Sequence, residues 1–178
     1  MIQIFHKNFI LIMGTVLMIT VISGCSTLEG GYENSLLSFT IPENWTVDNS
    51  NSSDSLASLK TWDNQWIYIQ SSDVDPTEII ESYIQNYPVE YPRFQVINRD
   101  PVQVDGREGE KLVFKNTAQN DFLLLGPDYI SSVIAFSKDN KTYIITSRET
   151  LPDNYYSRVE PAVNVVVKSL RIKKSFLN

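Results

Sequence analysis

Histidine and cysteine each occur once in the 178-residue chain, as His6 and Cys25, and neither type recurs beyond position 25. Past that point no Ser-His-Asp or Cys-His nucleophile can be assembled. Metal centres that depend on imidazole or thiolate are excluded with them. One cysteine makes no internal disulfide, so the fold must be held by its core. Carboxylates, lysines, tyrosines and hydroxyls remain, and no cofactor or metal is expected. Positive charge is also short: 15 Lys and Arg stand against 21 Asp and Glu, a net charge of −6. An acidic surface is repelled by nucleic acid and by anionic headgroups, which argues against both as direct ligands.

Long apolar runs are limited to one. Residues 9–22 are predominantly apolar, follow the single charge of Lys7, and end in Ile22-Ser23-Gly24-Cys25. Fourteen residues suit the apolar region of a signal peptide and are short for a spanning helix. Small residues before a cysteine fit a peptidase cleft, and the thiol can receive a thioether-linked lipid. The expectation is a signal at 1–24, lipidation of Cys25 (with palmitate among the added chains), a tether over 25–35, a domain over 36–174 and a tail over 175–178. The protein would then sit on the extracytoplasmic face of the cell membrane, held by lipid at Cys25. Loss of Lys7 with the signal leaves 14 basic against 21 acidic residues, a net charge of −7. Arg171, Lys173 and Lys174 form a basic cluster that reads as a solvated end.

The remainder is dominated by strand patterns. Leu37, Phe39 and Ile41 alternate with Ser38 and Thr40 until Pro42. Residues 56–62 and 66–70 predict a hairpin around Asp63-Asn64-Gln65. Residues 94–99, 102–104 and 111–115 follow, the last two joined at Asp105-Gly106, a pair that tolerates a tight hairpin. Residues 122–125 read as a short edge strand. Residues 130–137 and 141–148 are the clearest pair, joined at Asp139-Asn140. Two helices interrupt. Asp75-Pro76-Thr77-Glu78 supplies a cap, a first-turn proline and an acid, and Ile79, Ile80, Tyr83, Ile84 and Tyr87 form a stripe that Pro88 should end. Val159, Val163, Val166, Val167 and Leu170 share a face of a second helix, which Pro161 either starts or kinks. Strands apolar on both faces need cover on both faces. The expected fold is α+β, an α/β/α sandwich around a mostly antiparallel sheet of about six strands.

Phe39-Thr40-Ile41-Pro42-Glu43-Asn44-Trp45 resembles the opening of PsbP-like domains, where an aromatic strand runs into proline and then tryptophan. Val104-Asp105-Gly106-Arg107-Glu108-Gly109 before Phe114, and the close over 166–172, continue the likeness across nearly the whole domain. The chain resembles PsbP-related prokaryotic lipoproteins, including those of methanogenic archaea. The resemblance implies the sandwich already argued and a module that binds other proteins rather than one that catalyses. Asn44 departs from the glycine common at that turn, but asparagine tolerates a left-handed backbone.

Several residues invite chemistry. Asp48, Asp54, Asp63, Asp73 and Asp75 offer oxygen ligands for calcium, but lack the glycine and terminal bidentate glutamate of a loop site. They read as acidic loops plus a helix cap at Asp75. Glu108 and Glu110 share a strand face, as an acid/base pair would, and also as the wet side of a hairpin does. Tyr83 and Tyr87 follow the core stripe, and Trp45 reads as a core plug. Trp62, Trp66 and Tyr91 lie near loops and are candidates for exposed aromatic contacts. Asn44, Asn51 and Asn140 match the N-glycosylation acceptor, with Asn51 and Asn140 the better placed. Three functions follow: a membrane-tethered, non-catalytic module with a cell-envelope protein as partner; a small-ligand lipoprotein with a pocket between sheet and helix; and a carboxylate-based enzyme acting on glycans.

Overall fold

Strands with alternating apolar and polar residues, together with one strand buried along most of its length, pair into two antiparallel sheets. The computed structural model describes residues 30–48, 55–91, 93–117 and 126–173. Cys25, Asn51, Asp54, Lys174 and the expected strand at 122–125 lie outside them. The elements run β1 (Gly31–Glu33), β2 (Leu37–Thr40), β3 (Thr46–Val47), β4 (Ala57–Lys60), β5 (Trp66–Ser72), α1 (Pro76–Glu90), β6 (Gln95–Val104), β7 (Arg107–Thr117), β8 (Asp128–Lys138) and β9 (Lys141–Ser147). A composite helix follows: α2 (Pro152–Asn154), a π-helical segment (Tyr155–Val159) and α3 (Glu160–Ser169), then β10 (Arg171–Ile172).

The main sheet has seven strands in the order β3-β4-β5-β9-β8-β7-β6, and a small sheet has the order β1-β2-β10. The count exceeds six for local reasons. Residues 46–47 add a short edge, while β2 leaves for the small sheet, where it pairs with β1 and β10. The expected segments 94–99 and 102–104 fuse into the single edge strand β6. Its outer side needs no partner for the missing N–H of Pro101, so the proline is tolerated.

Residues 30–35, expected as part of a tether, are instead hydrogen-bonded into the small sheet and its turn. Gly31↔Thr40 and Glu33↔Ser38 pair β1 with β2, and Asn34 Oδ1 accepts from the N–H groups of Leu36 and Leu37, both at 2.8 Å. Residues 30–35 therefore belong to the folded unit.

Each face of the main sheet has its own core. One cluster joins Leu37 and Phe39 of the small sheet, Trp45, Tyr155 and the helical face Val159, Val163, Val166, Val167 and Leu170 to Leu59, Ile67, Ile134 and Ile145. The other packs Ile80, with Ile79, Tyr83, Ile84 and Tyr87, on Leu112, Phe114, Val133 and Ala135. Residues 131–136 of β8 are buried throughout, as a strand covered on both faces must be. Among the described residues no helix is long and apolar enough to cross a membrane.

One proline, Pro88, acts differently from expectation. Asp75 caps α1 through Oδ1, which accepts from Thr77 N–H at 2.8 Å, but the helix passes Pro88 and ends at Glu90. In its last turn Pro88 forfeits only its own bond, and Tyr91 N–H still reaches the Tyr87 carbonyl at 2.7 Å. Pro161 stands in the first turn of α3 (Glu160–Ser169), at the start of the regular helix, which is one of the two expectations for it. The wider π segment upstream, closed by Glu160 N–H on the Tyr155 carbonyl, absorbs the ring and the missing donor. The turns agree with their residues: Asp105 (φ 50°) with Gly106 (φ 71°), Asp139 (φ 51°) with Asn140 (φ 62°), and Asn44 (φ 64°) in the turn before Trp45.

Candidate binding surfaces

The antiparallel register sends two hairpin turns and one helix start to the same end of the sheet. The β6–β7 turn at Asp105-Gly106, the β8–β9 turn at Asp139-Asn140 and the cap of α1 at Asp75 surround a trough there. One part, of about 530 Å³, is lined by Asp73, Asp75, Arg107, Ser137, Lys138, Asp139, Asn140, Lys141 and Thr142. Asp75 and Ser137 also line an adjoining groove of about 530 Å³ that runs past Pro101 to Arg99, Glu108 and Glu110. None of the nine residues of the first part is hydrophobic. Pockets for small molecules are mostly apolar with a few polar groups, which this trough is not. The sheet–helix interfaces, where a ligand pocket was the alternative expectation, are filled by the two cores.

Charges of both signs line the trough, and several of them are joined in ion pairs. Lys141 Nζ lies 2.6 Å from Asp73. Arg99 forks over both oxygens of Glu110 and reaches Glu81 at 2.7 Å, and those carboxylates hold its guanidinium further toward the charged form. Lys138 pairs with Asp105 and donates to the Ile172 carbonyl at 3.1 Å. Such a surface suits another polar surface of mixed charge. It does not concentrate one sign against an ion.

The acid pair and the acidic residues take specific places. Glu108 and Glu110 line one groove, as expected of one strand face, but Glu110 is engaged by Arg99. The candidate calcium ligands are dispersed: Asp48 pairs with Lys60, Asp63 with Arg158 and Asp73 with Lys141, while Asp75 caps α1. Among the described residues no group of three or more His, Cys, Asp or Glu is placed to hold a metal ion. Hydrogen bonds and ion pairs push three carboxyls below their ordinary values: Thr61 then Arg158 at Asp63, Thr117 then Lys115 at Asp128, and Lys173 at Glu33.

The aromatic candidates part company. Trp62 stands 87 % exposed at the tip of the β4–β5 loop. Trp66 is half-buried instead, stacked on Tyr68 at 5.7 Å with Lys60 Nζ 5.4 Å from its ring centroid. Tyr91 is half-buried too, stacked on Tyr87 at 5.4 Å. A strand or a helix end close to a loop still carries its side chains onto neighbouring rings, which proximity in sequence does not reveal. Asn140 is exposed in its turn. Tyr156 (50 % exposed) and Leu151 (45 %) were missed by sequence reasoning. Leu151 caps the composite helix and Tyr156 lies in its π-helical segment, both upstream of the stripe that begins at Val159.

No family model matches the chain, and no curated protein matches it. Three solved structures are similar in fold. Cyanobacterial PsbP (CyanoP) from Synechocystis is 13 % identical, with 80 % of this chain and 91 % of that one covered at a TM-score of 0.52. LpqN, involved in cell envelope biogenesis of Mycobacterium tuberculosis, is 12 % identical, with 84 % and 88 % covered at 0.54. The Ran-binding protein Mog1p of Saccharomyces cerevisiae is 12 % identical, with 80 % and 94 % covered at 0.57. At these identities the likeness is one of fold, and it is the PsbP-like architecture that the sequence resemblance implied.

Proposed function

We propose that the chain is a membrane-tethered, non-catalytic binding module on the outer face of the cell membrane, with a cell-envelope protein as its partner. The observation that carries this reading is the trough, whose lining carries charges of both signs, some of them ion-paired, and whose first part has no hydrophobic residue. It is built for a polar protein surface more than for an enclosed small molecule. The lipidation box at Cys25 supplies the tether. Folds of this kind include a protein described as Ran-binding and another involved in cell envelope biogenesis, which is consistent with an interaction role.

The test is crosslinking in intact cells with a photoreactive residue at Arg107 or Lys141, both exposed on the trough. One envelope protein should be captured from both positions. The double charge reversal Arg107→Glu with Lys141→Glu should reduce capture at least about tenfold while thermal stability holds, because exposed pairs contribute little to folding. Turnover of substrate by the purified domain across a hydrolase panel would end the non-catalytic reading.

A further inference from the structure

We propose that the end of the domain bearing Trp62 lies against the lipid surface, with Trp62, Tyr156 and Leu151 seated at the headgroup–acyl boundary and the polar trough directed away. This rests on the reading of Cys25 as the lipid-bearing residue.

The point of chain entry is the first link. Gly30 accepts a 2.7 Å hydrogen bond from Ile41 N–H, and Gly31 pairs with Thr40, so the chain joins the domain beside Ile41 and Pro42. Five peptide steps separate Cys25 from Gly30, a reach of at most roughly 18 Å when fully extended. A lipid on Cys25 therefore holds the membrane surface within that distance of this end.

From Gly30 the surface continues to the exposed apolar residues. The turn at 42–45 forms a groove of about 280 Å³ with Ser157, Arg158 and Pro161. Thr46 pairs with Lys60, which brings that turn alongside the 61–65 loop. Arg158 then binds both carboxylate oxygens of Asp63, next to Trp62, and Thr150 Oγ1 donates to Gln65 Oε1 at 2.7 Å, beside Leu151. Trp62, Tyr156 and Leu151 thus come from segments stapled together at the end where the tether enters. The trough lies at the other end: β5 starts beside the 61–65 loop and finishes at Ser72, opposite Thr142 and next to Asp73.

The chemistry fits lipid. Tryptophan and tyrosine favour the membrane–water interface because each joins an apolar ring to a polar tip. The ionic groups beside Trp62 are paired, Asp63 with Arg158 and Lys60 with Asp48, so approach to a neutral surface strips water from no bare charge among them. Three side chains suffice because the tether makes the contact intramolecular, at an effective concentration on the order of millimolar.

The test uses the full, natively processed chain in phosphatidylcholine vesicles with ordinary or dibrominated acyl chains. Mass spectrometry first reports whether Cys25 carries lipid. A bare thiol overturns the tether and this inference together. With lipid present, bromine should quench Trp62 emission about twofold, measured as the difference between the wild type and Trp62→Phe, which retains Trp45 and Trp66. In the Trp62→Phe background, a reporter at the trough, Arg107→Trp, should be unaffected by bromine. With Cys25 lipidated, either of two results overturns the inference while the tether stands: Trp62 unquenched, or both positions quenched alike. Trp62 shielded from aqueous iodide but indifferent to bromine identifies a protein, or a second copy of this chain, as the occupant and also overturns it.

Discussion

Arg158 holds both carboxylate oxygens of Asp63 through its two terminal nitrogens, tying the β4–β5 loop to the π-helical segment 95 residues later. Asp63 also accepts from Thr61 Oγ1 at 2.6 Å, so its orientation is set from both sides. A planar fork is what makes the contact two-pronged, and lysine cannot reproduce it. Arg158→Lys should lose about 1 kcal/mol in urea unfolding at neutral pH. Asp63→Asn should lose a similar amount, and the double variant less than the sum. Additive losses would show that the two side chains act separately.

The lowered carboxyls predict a direction for acid stability. Asp63, Asp128 and Glu33 are easier to ionise in the folded chain than in the unfolded one. Their contribution is complete above the ordinary carboxylate range, near pH 4, and is lost as the pH falls through the depressed folded values. The melting temperature should be flat from about pH 7 to 5 and fall steeply below about pH 4. Asp63→Asn with Asp128→Asn should melt lower at pH 7 and lose less on acidification. An unchanged acid slope in that variant would count against these two groups.

Gly109 pairs with Phe136 between β7 and β8, where a methyl group has no room. A Cβ built there comes within 2.6 Å of both the Ala135 carbonyl oxygen and Phe136 Cβ. The nearest atoms are backbone and side-chain root, neither of which can swing aside. Gly109→Ala should cost about 1–3 kcal/mol in equilibrium unfolding. Gly31→Ala, with nothing within 4 Å, is the control and should change little.

Asp105 is a clamp as well as a turn residue. Its Oδ2 accepts from Ile172 N–H at 2.7 Å and pairs with Lys138, joining the β6–β7 turn to the last strand. Its backbone is left-handed, φ 50°, which asparagine tolerates and alanine does not. Asp105→Ala should cost about 2–3 kcal/mol and Asp105→Asn about half of that. Hydrogen exchange should show β10 opening first in the alanine variant. Equal losses for the two substitutions would remove the backbone part of the argument.

Local chemistry made much of the fold legible. Asp105-Gly106 and Asp139-Asn140 were readable as hairpins because the left-handed backbone such turns need is a property of those residues. Asp75 was readable as a cap because its carboxylate and the orphan N–H groups are two residues apart. Residues 30–35 misled because a polar, glycine-bearing stretch pairs as readily as it hangs free when a strand lies beside it. Pro88 misled because the same ring costs less in a last turn than in a helix interior. The exposed pair Leu151 and Tyr156 was invisible, since both precede the periodic stripe that begins at Val159 and no local pattern says which side of that segment is covered.

The order of residues by itself determined which segments extend, which coil and where they turn, and it removed imidazole and thiol from everything beyond Cys25. Those properties depend on φ preferences and on spacing within a few residues. The assignment of β2 to a separate small sheet, the gathering of two turns and a helix start into one trough, and the exposure of Trp62 while Trp66 is half-buried were decided by tertiary structure. Each depends on which distant strand supplies the neighbouring hydrogen bonds and side chains, and no local pattern encodes that choice.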